Sequence, residues 1–524
     1  KPLTHLDMLV LSNVFPYSKC PSKVGSLFGN LSKSVRVIVA SRWFSSVPPT
    51  ERCKITMRTL QPLHSLPKLR QLVFKYGNQP FGTTLIRGTF SALHHLQVLQ
   101  IGYCGIAKIQ DGAFDGLSLT SVLLSGNPIG LNQFWVQADH RPMTSVQEVI
   151  LKQSYLDSIV STYNASFIVQ SFPNVKIISM AKNNLQAFPN FAACGYQLYN
   201  KVSPEINENF IGELPAEDMS GLCMAIPNFV KLDLSKNVIR KMEYLCPSLE
   251  SLNLRDNRLS FHSKINFATI KKLSHLVYLN LQNNMLTTIP SDLFYGMPQL
   301  DTLILRYNRL HTLDSTQFSH NQRLYKLDLS ENYFSSFNVS VLRNNTILEA
   351  LKLHINRISI FSKEFVEYAE TSPSLRYLVL DSNPIDCSCD QLYFQTWVKR
   401  SKNLQRGEQL SCQTPESLAL ATIVDYRQPV FDCYIKWVLD AVGGLIGLIL
   451  LAFVLYRLRW YLARYKYIRS SVIELKLQDE CECDAMVLFN SKSNDDTNWV
   501  KLQLLFELEG DDFPEPINLT RPDE

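Results

Sequence analysis

Four cysteines follow residue 386 in a pattern suited to covalent or metal chemistry: Cys387 and Cys389 as a C-x-C pair, then Cys412 and Cys433 after two roughly equal gaps. Disulfides would staple a segment too small to hold a hydrophobic core by itself. Four thiolates would alternatively ligate zinc, a reading weakened by the lack of nearby histidines. Four cysteines allow three disulfide pairings, and spacing alone does not choose among them. Upstream, Cys20, Cys53, Cys104, Cys194, Cys223 and Cys246 can form further bridges or sit buried as small hydrophobes. Cys481 and Cys483 are read as reduced thiols. Asn30, Asn164, Asn338 and Asn344 each open an N-x-[ST] acceptor sequence for N-glycans, which suits the same oxidising, secretory surface. Asn518 matches as well, on the side read below as cytosolic.

Nothing comparable points to catalysis. No G-x-S-x-G, H-E-x-x-H, phosphate-binding loop or dinucleotide fingerprint occurs, and the ten histidines are scattered. No catalytic residue, cofactor or resident metal is therefore expected. The formal charge of +5 gives no support to nucleic-acid binding by overall charge, so nucleic acid enters only as one ligand class among others.

The element that positions these residues is a repeat. Between Phe229 and Ile385 the chain writes apolar-x-x-apolar-x-apolar-x-x-Asn-x-apolar from Phe229, Leu249, Leu276, Leu300, Leu324, Leu348 and Leu375. Starts fall about 20 to 27 residues apart, the period of the leucine-rich repeat. In the copy from Leu300, Leu303 and Leu305 alternate with Ile304, which defines a short strand with one inward face. Asn237, Asn257, Asn284, Asn308, Asn332, Asn356 and Asn383 recur at an otherwise buried position, where an amide needs backbone partners. One repeat cannot bury its own apolar face, so neighbours stack and their strands align into a parallel sheet. Upstream the signal decays. Asn183 and Asn127 persist, Cys104 and Ser154 take the Asn place, Leu69–Phe74 is weaker, and the stretch from Leu6 is barely legible. The segment from Gln186 to Asn228 breaks the rhythm and reads as an irregular repeat or an insertion. Phe90, Phe114, Phe294 and Phe318 recur on the far side of their repeats, where rings would fill the convex layer.

From Trp437 to Tyr456 the chain is apolar for long enough to cross a hydrocarbon core of about 30 Å. Arg457, Arg459, Arg464, Lys466 and Arg469 follow at once, placing the C-terminal side in the cytoplasm. Asp440 lies one turn inside the boundary, placed either to snorkel to the outer headgroups or to pair between helices of an oligomer, and Gly443-x-x-x-Gly447 has the spacing of a helix-pairing motif. Beyond the basic run, Ala485 to Phe489 suits a buried parallel strand, Trp499 to Glu509 an amphipathic helix, and Ile517 to Leu519 a second strand, the opening of an α/β domain.

That strand resembles the first box of the Toll/interleukin-1 receptor (TIR) domain, on Asp484, Ala485, Val487 and Phe489, with Cys483 and Met486 departing from the usual aromatics. Repeats, a cysteine-rich end, one span and a TIR start, in this order, resemble a Toll-like receptor. The cysteines resemble the C-terminal flanking module of extracellular leucine-rich proteins, which implies the pairs Cys387–Cys412 and Cys389–Cys433. The fold class expected is α/β: a leucine-rich-repeat horseshoe with a disulfide cap, one transmembrane helix and an incomplete flavodoxin-like TIR segment. The expected divisions are 1–386 ectodomain, 387–433 cap, 434–457 span, 458–480 basic juxtamembrane segment and 481–524 truncated TIR domain. Lys1 in first place and the short TIR stretch read as a fragment of a longer product.

The resemblance implies a single-pass type I receptor of the plasma membrane or endosome. It would bind a microbial or endogenous ligand, pair with a second receptor chain and recruit a cytosolic TIR-domain adaptor. Two alternatives remain: a leucine-rich-repeat adhesion or growth-factor-binding membrane protein, and a TIR-truncated decoy receptor. On the concave strands Arg255, Arg306, Lys326, Lys352 and His354 form a basic track interleaved with Asp233, Asp256, Asp328, Glu331 and Asp381, the mixed charge of a solvated sheet face. Ile304, Tyr307, Ile355 and Val379 add apolar surface there. The expected ligand or dimer surface is Ile304, Arg306, Tyr307, Lys326, Lys352 and His354.

Overall fold

A computed structural model describes residues 7–12, 33–42, 60–77, 79–129, 142–154, 166–189, 191, 202–260, 264–425 and 430–471. The chain divides into two units, 1–428 and 429–524. In the first, each repeat contributes one short strand, and sixteen of them stack in chain order from Met8–Ser12 to Leu404–Gln405. Every pairing in this sheet is parallel, so the chain must cross back over the other face between strands. The register is a leucine ladder: Leu252, Leu279, Leu303, Leu327, Leu351 and Leu378 pair in sequence, one per strand. All six are fully buried, each contributing about 1.5–3 kcal/mol relative to exposure. A slip of one residue would turn the whole ladder into solvent, and this is why the register holds.

The return segments form the convex side. They include the helices Ala216–Ala225, Lys264–Lys271 and Lys363–Thr371 and the single turns Leu293–Gly296 and Val339–Leu342. The last helix starts at Ser362, whose Oγ accepts from the Phe365 N–H at 3.2 Å. Phe90 and Phe114 stand 6.0 Å apart, and Phe294 and Phe318 5.6 Å, all four fully buried in the convex layer.

The asparagines tie one repeat to the next. Asn308 Nδ2 donates to the carbonyls of Leu305 in its own repeat and Leu281 in the preceding one, both at 2.9 Å, and its Oδ1 accepts from the N–H groups of Asn284 and Leu286 at 3.2 Å. Asn332, Asn356 and Asn383 donate in the same two directions. Where Cys104 replaces Asn, its thiol donates within its own repeat, to Gly102 O at 3.3 Å, and meets the Gly77 backbone of the preceding repeat. Ser154 in the same place reaches Leu124 O at 3.5 Å.

Two parts of the sheet lie outside the expected pattern. The segment read as rhythm-breaking holds a repeat: Ser203–Glu205 pairs along its length with Ile177–Ser179, and Asn209 completes the ladder with donations to Met180 O and Ile206 O. Toward the next strand it pairs only at Glu205 and, as an isolated bridge, at Val202. Pro204 lies between, with no N–H to donate, and its ring at the leucine position hid the pattern. Further upstream Val37–Ser41 is a strand between Met8–Ser12 and Gln71–Lys75, packed through Ile38 and Ala40.

Among the described residues the second unit carries one helix, Val430–Ser471, of 42 residues. Its apolar stretch Trp437–Ala463 runs 27 residues and reaches a mean hydropathy of 2.6 over an 18-residue window, a length of about 40 Å at 1.5 Å per residue. The helix does not stop at residue 457, where the span was expected to end. No Gly or Pro interrupts 448–471, and the Arg457 guanidinium folds back over the Phe453 ring one turn earlier, 5.7 Å from its centroid.

Candidate ligand surface and the disulfide-closed end

The last repeat runs into a closure that seals the solenoid. Cys387 is bonded to Cys412, and the strand Ile385–Asp386 pairs with Cys412–Thr414 beside it. Asp386 Oδ1 accepts from Ser388 N at 3.0 Å and Thr414 Oγ1 at 2.9 Å, fixing the turn between them. Helix Leu392–Arg400 lays Phe394 and Trp397 against Phe361 and Phe365, and Leu404–Gln405 adds the sixteenth strand. The apolar end of the stack is thereby covered. Cys389 is also disulfide-bonded, so the zinc alternative does not apply to these residues. The Cys433 side chain lies outside the described residues. A second bridge joins Cys223 to Cys246, 23 residues apart. Cys104 is a buried free thiol whose pKa burial pushes up to about 12. Cys20, Cys53, Cys194 and Cys481 lie outside the described residues, as do Asn30, Asn164 and the TIR-box residues Asp484, Ala485, Val487 and Phe489.

On the concave face the basic track is not a free one. The Arg306 guanidinium donates to Glu331, with Nε to Oε1 at 2.9 Å. Lys352 Nζ lies 3.5 Å from Asp328 Oδ2, and Arg406 reaches Asp381 Oδ2 at 3.9 Å. Farther upstream Lys182 and Lys236 share Glu208, and Arg255 pairs with Asp256. Asp233 and Asp328 have a second duty: each Oδ1 accepts from the N–H and hydroxyl of the serine two residues on, Ser235 and Ser330. These carboxylates shape the turn as much as they display charge. His354 is half-buried between Asp328 and Asp381. Desolvation holds its pKa below the ordinary histidine value, against the pull of those two carboxylates.

Of the six residues expected to form a contact surface, the structure brings Arg306, Lys352 and His354 into this paired network. Lys326 and Ile304 lie half-exposed on neighbouring strands. Tyr307 stands on a different line. Its φ is +56°, and the residue just before the ladder Asn is left-handed in repeat after repeat: Lys236, Asp256, Asn283, Tyr307, Glu331 and Ile355. That backbone turn sets these residues in a column at one flank, with Lys236, Tyr307 and Ile355 exposed and Asp256, Asn283 and Glu331 half-buried. The expected surface therefore comprises two features, a self-neutralised strand face and a flank column with Tyr307 56 % and Ile355 45 % exposed. Sequence reasoning did not see the column, although its address, one residue before each Asn, was in plain view. The same column holds Tyr76 and Tyr103, whose rings stack 4.9 Å apart. Beneath Tyr103 lies Gly126, the next residue in the column, with φ +74°. A Cβ there would come within 2.3 Å of the Tyr103 ring.

The family described as leucine rich repeat matches residues 247–310 and 298–358. Among curated proteins the chain is similar to CD180 antigen of Mus musculus, 24% identical over 388 residues that cover 67% of this chain and 54% of that protein. It is similar also to Toll-like receptor 6 of Mus musculus, 25% identical over 308 residues, 55% of this chain and 35% of that protein. The chain thus spans about half or less of the length of these relatives. Among solved structures it superposes on the TLR13–ssRNA13 complex with a TM-score of 0.51 at 18% identity, covering 81% of this chain and 68% of that one. Fold and comparisons together define a leucine-rich-repeat solenoid whose relatives include Toll-like receptors.

Proposed function

We propose that this chain is a Toll-like pattern-recognition receptor, a single-pass type I membrane protein whose solenoid faces outward. It binds a microbial or endogenous ligand, pairs with a second receptor chain and passes the event to TIR-domain adaptors in the cytosol. The observation that carries the reading is the order of parts: a solenoid closed at its C-terminal end by Cys387–Cys412, then one helix with a 27-residue apolar stretch and a basic run after it. The likeness to Toll-like receptor 6 and CD180 antigen supports it, as do Asp484, Ala485, Val487 and Phe489. The Cys389–Cys433 pair and N-glycans at Asn30, Asn164, Asn338 and Asn344 belong to the same proposal.

Ligand or partner meets Ile304, Arg306, Tyr307, Lys326, Lys352 and His354. Arg306 and Lys352 already hold carboxylate partners, so a polyanion would have to displace Glu331 and Asp328 to use them. Apolar and hydrogen-bonding contact through Ile304, Tyr307 and Lys326 needs no such exchange. A tag inserted after Arg469 should be reachable by antibody only in permeabilised cells; labelling of intact cells would overturn the orientation. The solenoid fused to a complete TIR domain should drive a reporter when presented with the right microbial ligand class, and a glycan sequon introduced at Tyr307 should abolish that response. An adhesion or growth-factor-binding protein would share the solenoid, closure and helix. The two readings part at 483–524, and a fusion that responds to no ligand class while still capturing cells or growth factor would favour the second.

A further inference from the structure

On the convex side a groove of about 410 Å³ opens between two neighbouring repeats, lined by Ser315, Thr316, Ser319, Ser340, Arg343 and Asn344 along with Val341. The volume is within the range of small-molecule sites, about 300–1,000 Å³. Four hydroxyls and a guanidinium stand among its apolar surface. Thr316 Oγ1 donates to Asp314 Oδ1 at 2.6 Å and accepts from the Tyr295 hydroxyl at 3.0 Å, so its orientation is held. Arg343 has no ion-pair partner among the described residues. A wall of hydroxyls, one amide and one unpaired guanidinium matches a polyhydroxylated neutral ligand bearing carbonyl acceptors, which is the chemistry of an amino-sugar.

The occupant is indicated by the groove itself. Asn344 lines it and opens the sequon Asn344-Asn345-Thr346. Its amide is exposed, and Nδ2 points across the repeat boundary to donate to Ser319 O at 3.3 Å. A glycosylated amide keeps one N–H, so that bond survives modification and aims the sugar along the groove. Asn338 is a built-in comparison. It too is exposed and opens a sequon, yet it does not line the groove, and its Oδ1 is engaged by Ser340 N at 3.0 Å.

We propose that this groove is the seat for the first sugars of an N-glycan on Asn344, held by Arg343 and the hydroxyls of Ser315, Ser319 and Ser340. In the transfer, C1 of the first sugar moves from its lipid pyrophosphate carrier to Nδ2. The C1–O bond breaks, the C1–N bond forms, the pyrophosphate leaves with the electron pair, and Nδ2 gives up one proton. The seated sugar bridges two repeats on the convex side, so it stiffens the stack there and leaves the concave face and the Tyr307 column open. The inference rests on the outward orientation proposed above.

The test uses the full chain expressed in animal cells and treated with peptide N-glycosidase without denaturation, with site occupancy followed by mass spectrometry. The Asn344 glycan should be released about two- to tenfold more slowly than the Asn338 glycan, the factor one net hydrogen bond supplies. Arg343→Ala should bring its release up to the Asn338 rate. Denaturation should abolish the difference. Equal release rates at the two sites, or no change in R343A, would overturn the seat. If Asn338 carries a glycan and Asn344 does not, the seat fails while the orientation stands; if neither does, the orientation fails too.

Discussion

Replacing Asn308 by alanine isolates the device that joins repeats. The amide makes five hydrogen bonds, three through Nδ2 to the carbonyls of Leu281, Leu305 and, at 3.4 Å, Arg306, and two through Oδ1 from the N–H groups of Asn284 and Leu286. They are not equal in consequence. Leu281 O also accepts from Asn284 Nδ2 at 3.1 Å, and Leu305 O from Asn332 Nδ2 at 3.0 Å, so both carbonyls keep a partner in the variant. The two N–H groups lose their only acceptor among the described residues and stay buried. An unsatisfied buried donor costs about 1–3 kcal/mol, so N308A should destabilise the solenoid by about 2–6 kcal/mol. Because contacts in a stack are between neighbours, the loss should be local. Hydrogen exchange on the detergent-solubilised chain should show faster exchange at the amides of Asn284 and Leu286 and little change near Leu99 or Leu378. Urea unfolding followed by tryptophan fluorescence supplies the magnitude, and Arg309→Ala, an exposed neighbour, is the control. A destabilisation below about 0.5 kcal/mol, the range of ordinary surface changes, would refute the argument. So would exchange that rises equally in distant repeats.

Gly126→Ala should cost about 1–3 kcal/mol, because a left-handed φ is unfavourable for alanine and the new Cβ meets the Tyr103 ring. Thermal melts of G126A, Y103A and the double variant should show partial recovery in the double, since removing the ring relieves the clash but not the backbone strain. Cys104, with its thiol pushed up to about 12 and buried, should resist maleimide at pH 8 until the chain unfolds, as mass spectrometry would read. His354 is held neutral by burial, with its folded pKa below the unfolded value. Between those two values the unfolded chain binds the extra proton, so the stability His354 contributes is complete above the unfolded pKa, near 6.5, and falls as pH drops toward the folded one. H354N should flatten the stability-versus-pH curve in that window, measured by urea midpoints; an unchanged slope would show that another group titrates there.

Much of this architecture was written locally. A strand needs only the alternation around Leu303 and Leu305, and the ladder position of Asn308 needs only its distance from them, so seven regular copies could be read residue by residue. The repeat at Asn209 could not. Its leucine place is held by Pro204, and only pairing with Ile177–Ser179 shows that the backbone runs as a strand there. Ile206-x-x-Asn209-x-Ile211 was the surviving half of the pattern. The charged track was legible as composition and misleading as a surface, because whether a lysine is free depends on which carboxylate the next repeat places opposite it. Lys352 and Asp328 lie on adjacent strands of the stack, 24 residues apart in the chain.

Taken alone, the amino-acid order determined that this chain stacks short parallel strands, closes the stack with cysteines and follows it with one apolar helix. These properties depend on periodicity, length and residue type, all of them local or additive along the chain. Tertiary structure decided that Cys387 faces Cys412 and Cys223 faces Cys246, that the concave charges neutralise one another, that a left-handed residue precedes nearly every ladder position, and that hydroxyls from two repeats converge beside Asn344. Each of these turns on distance between repeats, which is set by how one coil settles on the next.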